Sequence, residues 1–211
     1  MSAVIASTGG AHVAHGGPPP LGPRAQAASI GLWVFMGVAT SLFSLSGWAY
    51  VMRMSGGDAV TLALPRQLWL STALLMAGSV ALQLATGAAR DSAASARARQ
   101  LLLAGGLCAL GFLAVQLWAW DALLAAQVLP TAHPAGSFFY LLTAMHGLHL
   151  AGGLVGWAWA ARSAWRHPMA GAWRIALCAR YWHFMLAVWL ALFAMLRWLT
   201  PEAARFICGA G

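Results

Sequence analysis

Apolar residues fill five long stretches of the chain, and short segments rich in polar residues, Gly or Pro separate them. Each stretch approaches the ~20 residues that an α-helix needs to cross the hydrocarbon core of a bilayer. Strands of a membrane barrel are shorter and alternate between polar and apolar residues, so this pattern excludes them. The predicted fold class is all-α, a polytopic membrane protein with a bundle of five transmembrane helices. The helices are predicted over residues 28–52, 67–88, 101–121, 137–161 and 177–199.

The first 27 residues differ from the rest of the chain. They are rich in Gly and Pro, including three consecutive Pro at 18–20, and lack the apolar centre of a signal peptide. Such a composition cannot bury a core, so residues 1–27 are predicted to be a flexible tail. Its two histidines, His12 and His15, are at most a weak metal site. Residues 28–211 then form the transmembrane domain.

The composition supports a membrane protein. Charged residues make up 8% of the chain, against ~25% in an average soluble domain. All twelve basic residues are Arg, which gives a net charge of +8, yet they form no continuous basic run. They sit between the apolar stretches, where basic residues set membrane orientation, so we predict no nucleic-acid partner.

The distribution of arginines predicts the orientation. Eight of the twelve fall in the N-terminal tail and in the second and fourth breaks, which lie on one side of the membrane. The positive-inside rule places that side in the cytoplasm. The N-terminus is therefore predicted to be cytoplasmic and the C-terminus outside.

Small and aromatic residues suggest how the helices pack. The pairs Gly152/Gly156 and Gly37/Ser41 have the small-xxx-small spacing that lets helices approach closely in lipid. Tryptophans near the predicted helix ends are typical of interfacial belts. These are Trp118, Trp120, Trp157, Trp159, Trp182 and Trp198.

Few ionisable residues fall inside the predicted spans. No Asp or Glu lies near the middle of a helix, which argues against an independent ion or proton pump. The candidates for chemistry are His146 and His149, which share a face of the fourth helix, and His183 in the fifth. They could ligate haem or a metal, or they could be structural histidines bonded to neighbouring helices or lipid. The three Cys show no metal-ligand spacing.

Two segments resemble a known family. Residues 138–149 read FFYLLTAMHGLH, and residues 181–184 read YWHF and are followed by Val188-Trp189. Both resemble conserved blocks of haem–copper oxidase subunit III, the first through His146 and His149, the second through Trp182, His183 and Trp189. Gly31-Leu32-Trp33-Val34-Phe35 resembles the start of that family's first conserved helix. The resemblance runs in order over residues 28–199 and is closest to the short, five-helix bacterial form.

The resemblance implies an accessory subunit without a redox centre of its own. Haem and copper would belong to partner subunits, and this chain would pack against catalytic subunit I and hold phospholipid. Trp33, Arg174, Arg180 and His183 are then the candidate lipid-binding residues. The implied location is the bacterial inner membrane, and the implied process is aerobic electron transport.

Two departures from the family pattern concern acidic residues. The family usually carries a Glu where this chain has Ala39, and an Asp where it has Leu186. Neither of the family's two membrane carboxylates therefore carries over to this chain, and with them goes the residue basis for a direct part in proton supply.

Other functions stay open at this stage. The chain could be a haem b electron-transfer protein that uses His146 and His183, or the accessory subunit of a quinol oxidase or nitric oxide reductase. A small-molecule transporter is a further alternative, although the sequence offers few residues for a polar path. The sequence does not identify the electron donor or the role of the tail.

Overall fold

A computed structural model describes residues 22–56, 64–91, 95–128, 134–166 and 172–209. The described chain is helical and contains no strand, which confirms the predicted fold class. Five helices are long and apolar enough to cross a membrane. They are α1 (Pro23–Met54), α2 (Gln67–Ala88), α3 (Ser95–Ala125), α4 (Pro134–Arg166) and α5 (Ala172–Trp198), and a short α6 (Pro201–Ile207) follows.

Four of the five long helices are longer than the predicted apolar spans. α1 begins at Pro23, inside the segment predicted to be a tail, because the fixed φ of proline suits the first turn of a helix. Pro201 follows the end of α5 and is also the first residue of α6. The Thr200 hydroxyl caps α6 by accepting a hydrogen bond from the Ala203 amide at 3.2 Å. Most of the predicted tail lies outside the described residues.

The helices pack in a definite order. α2 packs against α3 and α5, and α4 completes this group by packing against the same two helices. α1 lies on the outside against α4 and α5, with α6 against α1. The largest fully buried side chains include Trp182, Trp189, Phe112 and Phe139. Trp182, predicted for an interfacial belt, is therefore a core residue.

Glycines bring α2 and α3 close together. A Cβ added at Gly78 would lie 3.2 Å from the carbonyl oxygen of Gly105, and one added at Gly105 would lie 2.6 Å from Cγ of Leu82. The predicted small-xxx-small pair of α4 behaves differently, because a Cβ at Gly152 or Gly156 would meet nothing within 4 Å. These two glycines leave space on the α4 surface instead of closing a helix contact.

Hydrogen bonds between side chains tie the helices together inside the apolar bundle. The Trp189 indole donates to the Thr72 hydroxyl at 2.9 Å, joining α5 to α2. The Trp157 indole donates to the Leu102 carbonyl at 2.7 Å, joining α4 to α3. The Tyr181 hydroxyl donates to the His149 carbonyl at 2.8 Å, joining α5 to α4. Such bonds are one of the few forces that hold helices together where lipid is as apolar as the side chains.

Candidate functional site

Arg174 lies in the first turn of α5 and is held by α4. Its guanidinium donates to the Ser163 hydroxyl and sits 4.3 Å from the centre of the Trp159 ring. The ring of Trp173 lies 5.1 Å from the same guanidinium. The buried Nε of Arg174 has no hydrogen-bond partner among the described residues. The arginine is thus fixed in position by its neighbours.

An apolar groove extends from Arg174 between α1, α4 and α5. It has a volume of about 420 Å³ and is lined mainly by apolar side chains and glycines, with Arg174 as its cation. Gly31 of α1 and the pair Gly152/Gly156 of α4 lie on its walls. The absence of side chains at these positions keeps the groove open. A ligand that fits this shape has an anionic head and a long apolar tail.

Arg180 lies on the outer edge of the contact between α5 and α1. Its guanidinium donates to the Ser29 hydroxyl at 3.0 Å and is 5.7 Å from the centre of the Trp33 ring. This distance is within the range of a cation–π interaction. Trp33 remains exposed on α1. The structure therefore brings together Trp33 and Arg180, which with Arg174 mark the same end of the bundle.

His183 points to a different helix. Its Nε2 lies 2.9 Å from the Gln83 amide oxygen and its Nδ1 contacts the Ser79 hydroxyl, both on α2. An amide oxygen only accepts, so Nε2–H donates to Gln83 and Nδ1 accepts from Ser79. His183 is thus bonded to α2, whereas Arg180, one turn earlier on the exposed side of α5, is bonded to Ser29 of α1.

His146 lies at the centre of the bundle. It is completely buried, and neither ring nitrogen has a partner among the described residues. Aromatic rings surround it, with centroids of Trp189 at 5.2 Å, Phe112 at 5.5 Å and Phe43 at 6.2 Å. Its neighbour His149 differs, because its Nδ1–H donates to the Met145 carbonyl at 2.8 Å.

Ala39, where the family that the sequence resembles carries a glutamate, lies beside these histidines. Ala39 is buried on α1, one turn from Phe35 and one turn from Phe43. Both rings contact His149, at centroid distances of 5.9 Å and 5.1 Å. The face of α1 that carries Ala39 is therefore turned toward the histidines of α4. The other departure, Leu186 on α5, is partly buried against the core.

The two histidines of the haem b alternative make different contacts in the described part of the chain. His183 is bonded through both nitrogens to α2, whereas His146 is packed among rings of α1, α3 and α5. The described residues hold no group of three or more His, Cys, Asp or Glu that could bind a metal. This geometry gives no support to a haem held between His146 and His183.

Several residues of these sites were not predicted from the sequence. Trp159 and Ser163 lie one turn apart on α4 and together hold Arg174. Their i, i+4 spacing can be read from the sequence, but it does not show that Arg174 of the next helix packs against them. Ser79 and Gln83 likewise share a face of α2, and only the helix packing shows that His183 meets them.

Comparisons with known proteins give a partial match. No protein-family model matches the chain. It is 40% identical over 63 residues to the probable cytochrome c oxidase subunit 3 of Mycobacterium leprae, which covers 29% of this chain and 31% of that protein. The protein of the same name from Mycobacterium bovis is 38% identical over the same shares. The match therefore covers less than a third of the length of these curated relatives. This partial similarity supports the interpretation that the chain is a membrane protein similar to cytochrome c oxidase subunit 3.

Proposed function

We propose that the chain is a non-catalytic accessory subunit of a haem–copper terminal oxidase. In this role it packs against the catalytic subunit and holds a phospholipid in the groove between α1, α4 and α5. The partial similarity to two proteins named cytochrome c oxidase subunit 3 supports the assignment. The observation that carries the lipid role is Arg174, the cation of an otherwise apolar groove.

The chemistry of the groove fits the two parts of a phospholipid. A guanidinium forms strong, charge-assisted hydrogen bonds to phosphate oxygens. Trp159 and Ser163 hold the Arg174 guanidinium in place, which reduces the side-chain entropy lost on binding. The acyl chain would follow the glycines Gly152 and Gly156 along α4. If the arginine count gives the orientation, this lipid lies in the cytoplasmic leaflet, where anionic lipids concentrate.

The first experiment tests the assembly. The tagged chain is purified in mild detergent from membranes of its source organism, and the eluate is analysed by visible spectroscopy and mass spectrometry. We expect the eluate to contain a large multi-helix subunit that carries haem and copper. The chain purified without its partners should be colourless. A low-spin haem spectrum from the isolated chain, lost in His146→Ala, would instead establish an electron-transfer cytochrome.

The second experiment tests the lipid groove. Phospholipid that co-purifies with the chain is counted by mass spectrometry for the wild type and for Arg174→Gln. We expect the variant to lose its tightly bound phospholipid, whereas Arg162→Gln, an exposed arginine on α4, should retain it. Gly156→Phe should displace the lipid with Arg174 intact, because the ring would fill the groove. Equal lipid counts in all of these proteins would rule out binding at this groove.

A further inference from the structure

The short helix α6 connects the end of α5 to the end of α1. Only two residues separate it from the last residue of α5. It packs against α1, where Ala204 is buried and the Cys208 thiol lies 4.0 Å from the Met52 sulfur. Met52 is two residues before the end of α1. α6 therefore lies at the level where these two membrane-spanning helices end.

The remaining surface of α6 divides into a polar and an apolar face. Successive residues of a helix are ~100° apart around its axis, so residues three or four apart share a face. Glu202 and Arg205 are three apart, and both are exposed on one side of the contact with α1. Phe206 and Ile207 are exposed on the other side, and Ala203 lies between them around the axis. The short helix is thus amphipathic in addition to its contact with α1.

The apolar face of α6 exposes large side chains. Phe206 is 87% exposed, and the adjacent Ile207 is 52% exposed. Adjacent exposed apolar side chains of this size mark a surface that contacts a membrane or another protein. The position of α6 at the edge of the bundle indicates which of the two covers this face.

The apolar face of α6 continues the lipid-facing surface of the transmembrane helices. Close to the contact with α6, α1 exposes Trp48 and Met52. Trp198, the last residue of α5, is 64% exposed. Tryptophans concentrate at the boundary between the hydrocarbon and the headgroups, so these residues mark that boundary on both helices. Phe206 and Ile207 directly precede Cys208, which contacts Met52, and so they lie at the same boundary.

We propose that α6 is an interfacial helix that inserts Phe206 and Ile207 into the lipid at the membrane boundary. Its polar face stays with the headgroups and water, which is the arrangement of an amphipathic helix that lies on a membrane. Because Ala204 and Cys208 pack on α1, the inserted helix also holds the end of α1. α1 lies on the outside of the bundle, so α6 acts on it as a membrane-anchored clamp. Such an anchor requires only the membrane fold and no partner subunit.

Photo-crosslinking tests what the Phe206 side chain contacts. A benzophenone side chain replaces Phe206 in the full chain, which is reconstituted into vesicles of phosphatidylethanolamine and phosphatidylglycerol. Lipid adducts are counted by mass spectrometry after illumination. We expect position 206 to give adducts as often as position 38, because Val38 is exposed in the middle of α1. Position 202, where Glu202 belongs to the polar face, should give several-fold fewer.

Two results of the crosslinking would overturn the proposal. Adducts as rare at position 206 as at position 202 would mean that the side chain faces water. The same variant is also illuminated in native membranes. A crosslink from position 206 to another protein, without lipid adducts, would show that a protein partner covers this face.

Thiol labelling tests the insertion without a bulky probe. Phe206→Ser combined with Ile207→Ser removes the apolar face, and the native Cys208 reports on α6 through its reaction with a maleimide in the same vesicles. We expect this double variant to be labelled about tenfold faster than the wild type, which corresponds to ~1.4 kcal/mol of lost anchoring. The matched control is Glu202→Ser with Arg205→Ser, which also introduces two serines and should keep the wild-type rate.

The labelling of Cys108 and Cys178 is subtracted by repeating each measurement with Cys208→Ser. Size-exclusion chromatography first shows that each variant is folded, which is expected because all four substituted side chains are exposed. Equal labelling rates for the wild type and both double variants would show that Phe206 and Ile207 do not anchor α6.

Discussion

His146 is a polar side chain that the bundle surrounds with aromatic rings. It is fully buried, and neither of its nitrogens has a partner among the described residues. A polar group buried without a hydrogen bond normally costs stability. The position where the related family carries a glutamate is Ala39, on the face of α1 turned toward His146 and His149. Ala39 itself offers these histidines no hydrogen-bond partner.

This arrangement predicts the effect of removing the imidazole. His146→Leu should leave the stability unchanged or raise it by ~1 kcal/mol, since no hydrogen bond is lost. Thr72→Val provides the contrast, because it leaves the buried Trp189 indole without its acceptor and should cost ~1–2 kcal/mol. Reversible unfolding in detergent measures both. A loss of several kcal/mol for His146→Leu would mean that the imidazole has a bound partner, such as a water molecule or a ligand.

At the level of helix pairs, Gly106 shows where close packing is required. A Cβ at this position would lie 2.2 Å from the Trp157 ring, whose indole is already bonded to the Leu102 carbonyl. The ring therefore has little freedom to move away. The contact joins α3 to α4.

Gly106→Ala should accordingly destabilise the protein by ~1–3 kcal/mol, the usual cost of overpacking. Gly37→Ala is the control, because an added Cβ there meets nothing within 4 Å. That variant should be neutral or should stabilise α1 by up to ~1 kcal/mol through helix propensity. The midpoint of thermal unfolding in detergent distinguishes them. Equal midpoints for the two variants would show that Trp157 can rearrange.

The helices could be predicted from the sequence, but most of their contacts could not. Hydropathy identifies a span because the free energy of transfer into lipid adds up over ~20 residues. Hydropathy does not reveal helical turns that extend beyond the hydrocarbon core of the bilayer. For this reason α1 and α3 are longer than predicted. Contacts such as Ser79 with His183 depend on how helices rotate against each other. The aromatic residue Trp182 was assigned to the interface for the same reason, since its position near a helix end does not reveal which face it occupies.

For the whole molecule, the arginine distribution predicts which end faces the cytoplasm. Arg90, Arg174 and Arg180 lie at one end of the bundle, together with the groove between α1, α4 and α5. Cys208 lies at the opposite end, after α6, where its thiol is 4.0 Å from the Met52 sulfur. Cys108 and Cys178 lie within helices α3 and α5. Cys208 is therefore a natural reporter for one side of the membrane.

A membrane-impermeant maleimide applied to intact spheroplasts should label the wild-type chain at Cys208. The label should be lost in Cys208→Ser. When Arg90→Cys is added to Cys208→Ser, labelling should require disruption of the membrane, because position 90 faces the cytoplasm in the predicted orientation. The opposite pattern would place the N-terminus outside. It would also place Arg174 and its groove in the outer leaflet, where the lipid proposed to bind there would have to be sought.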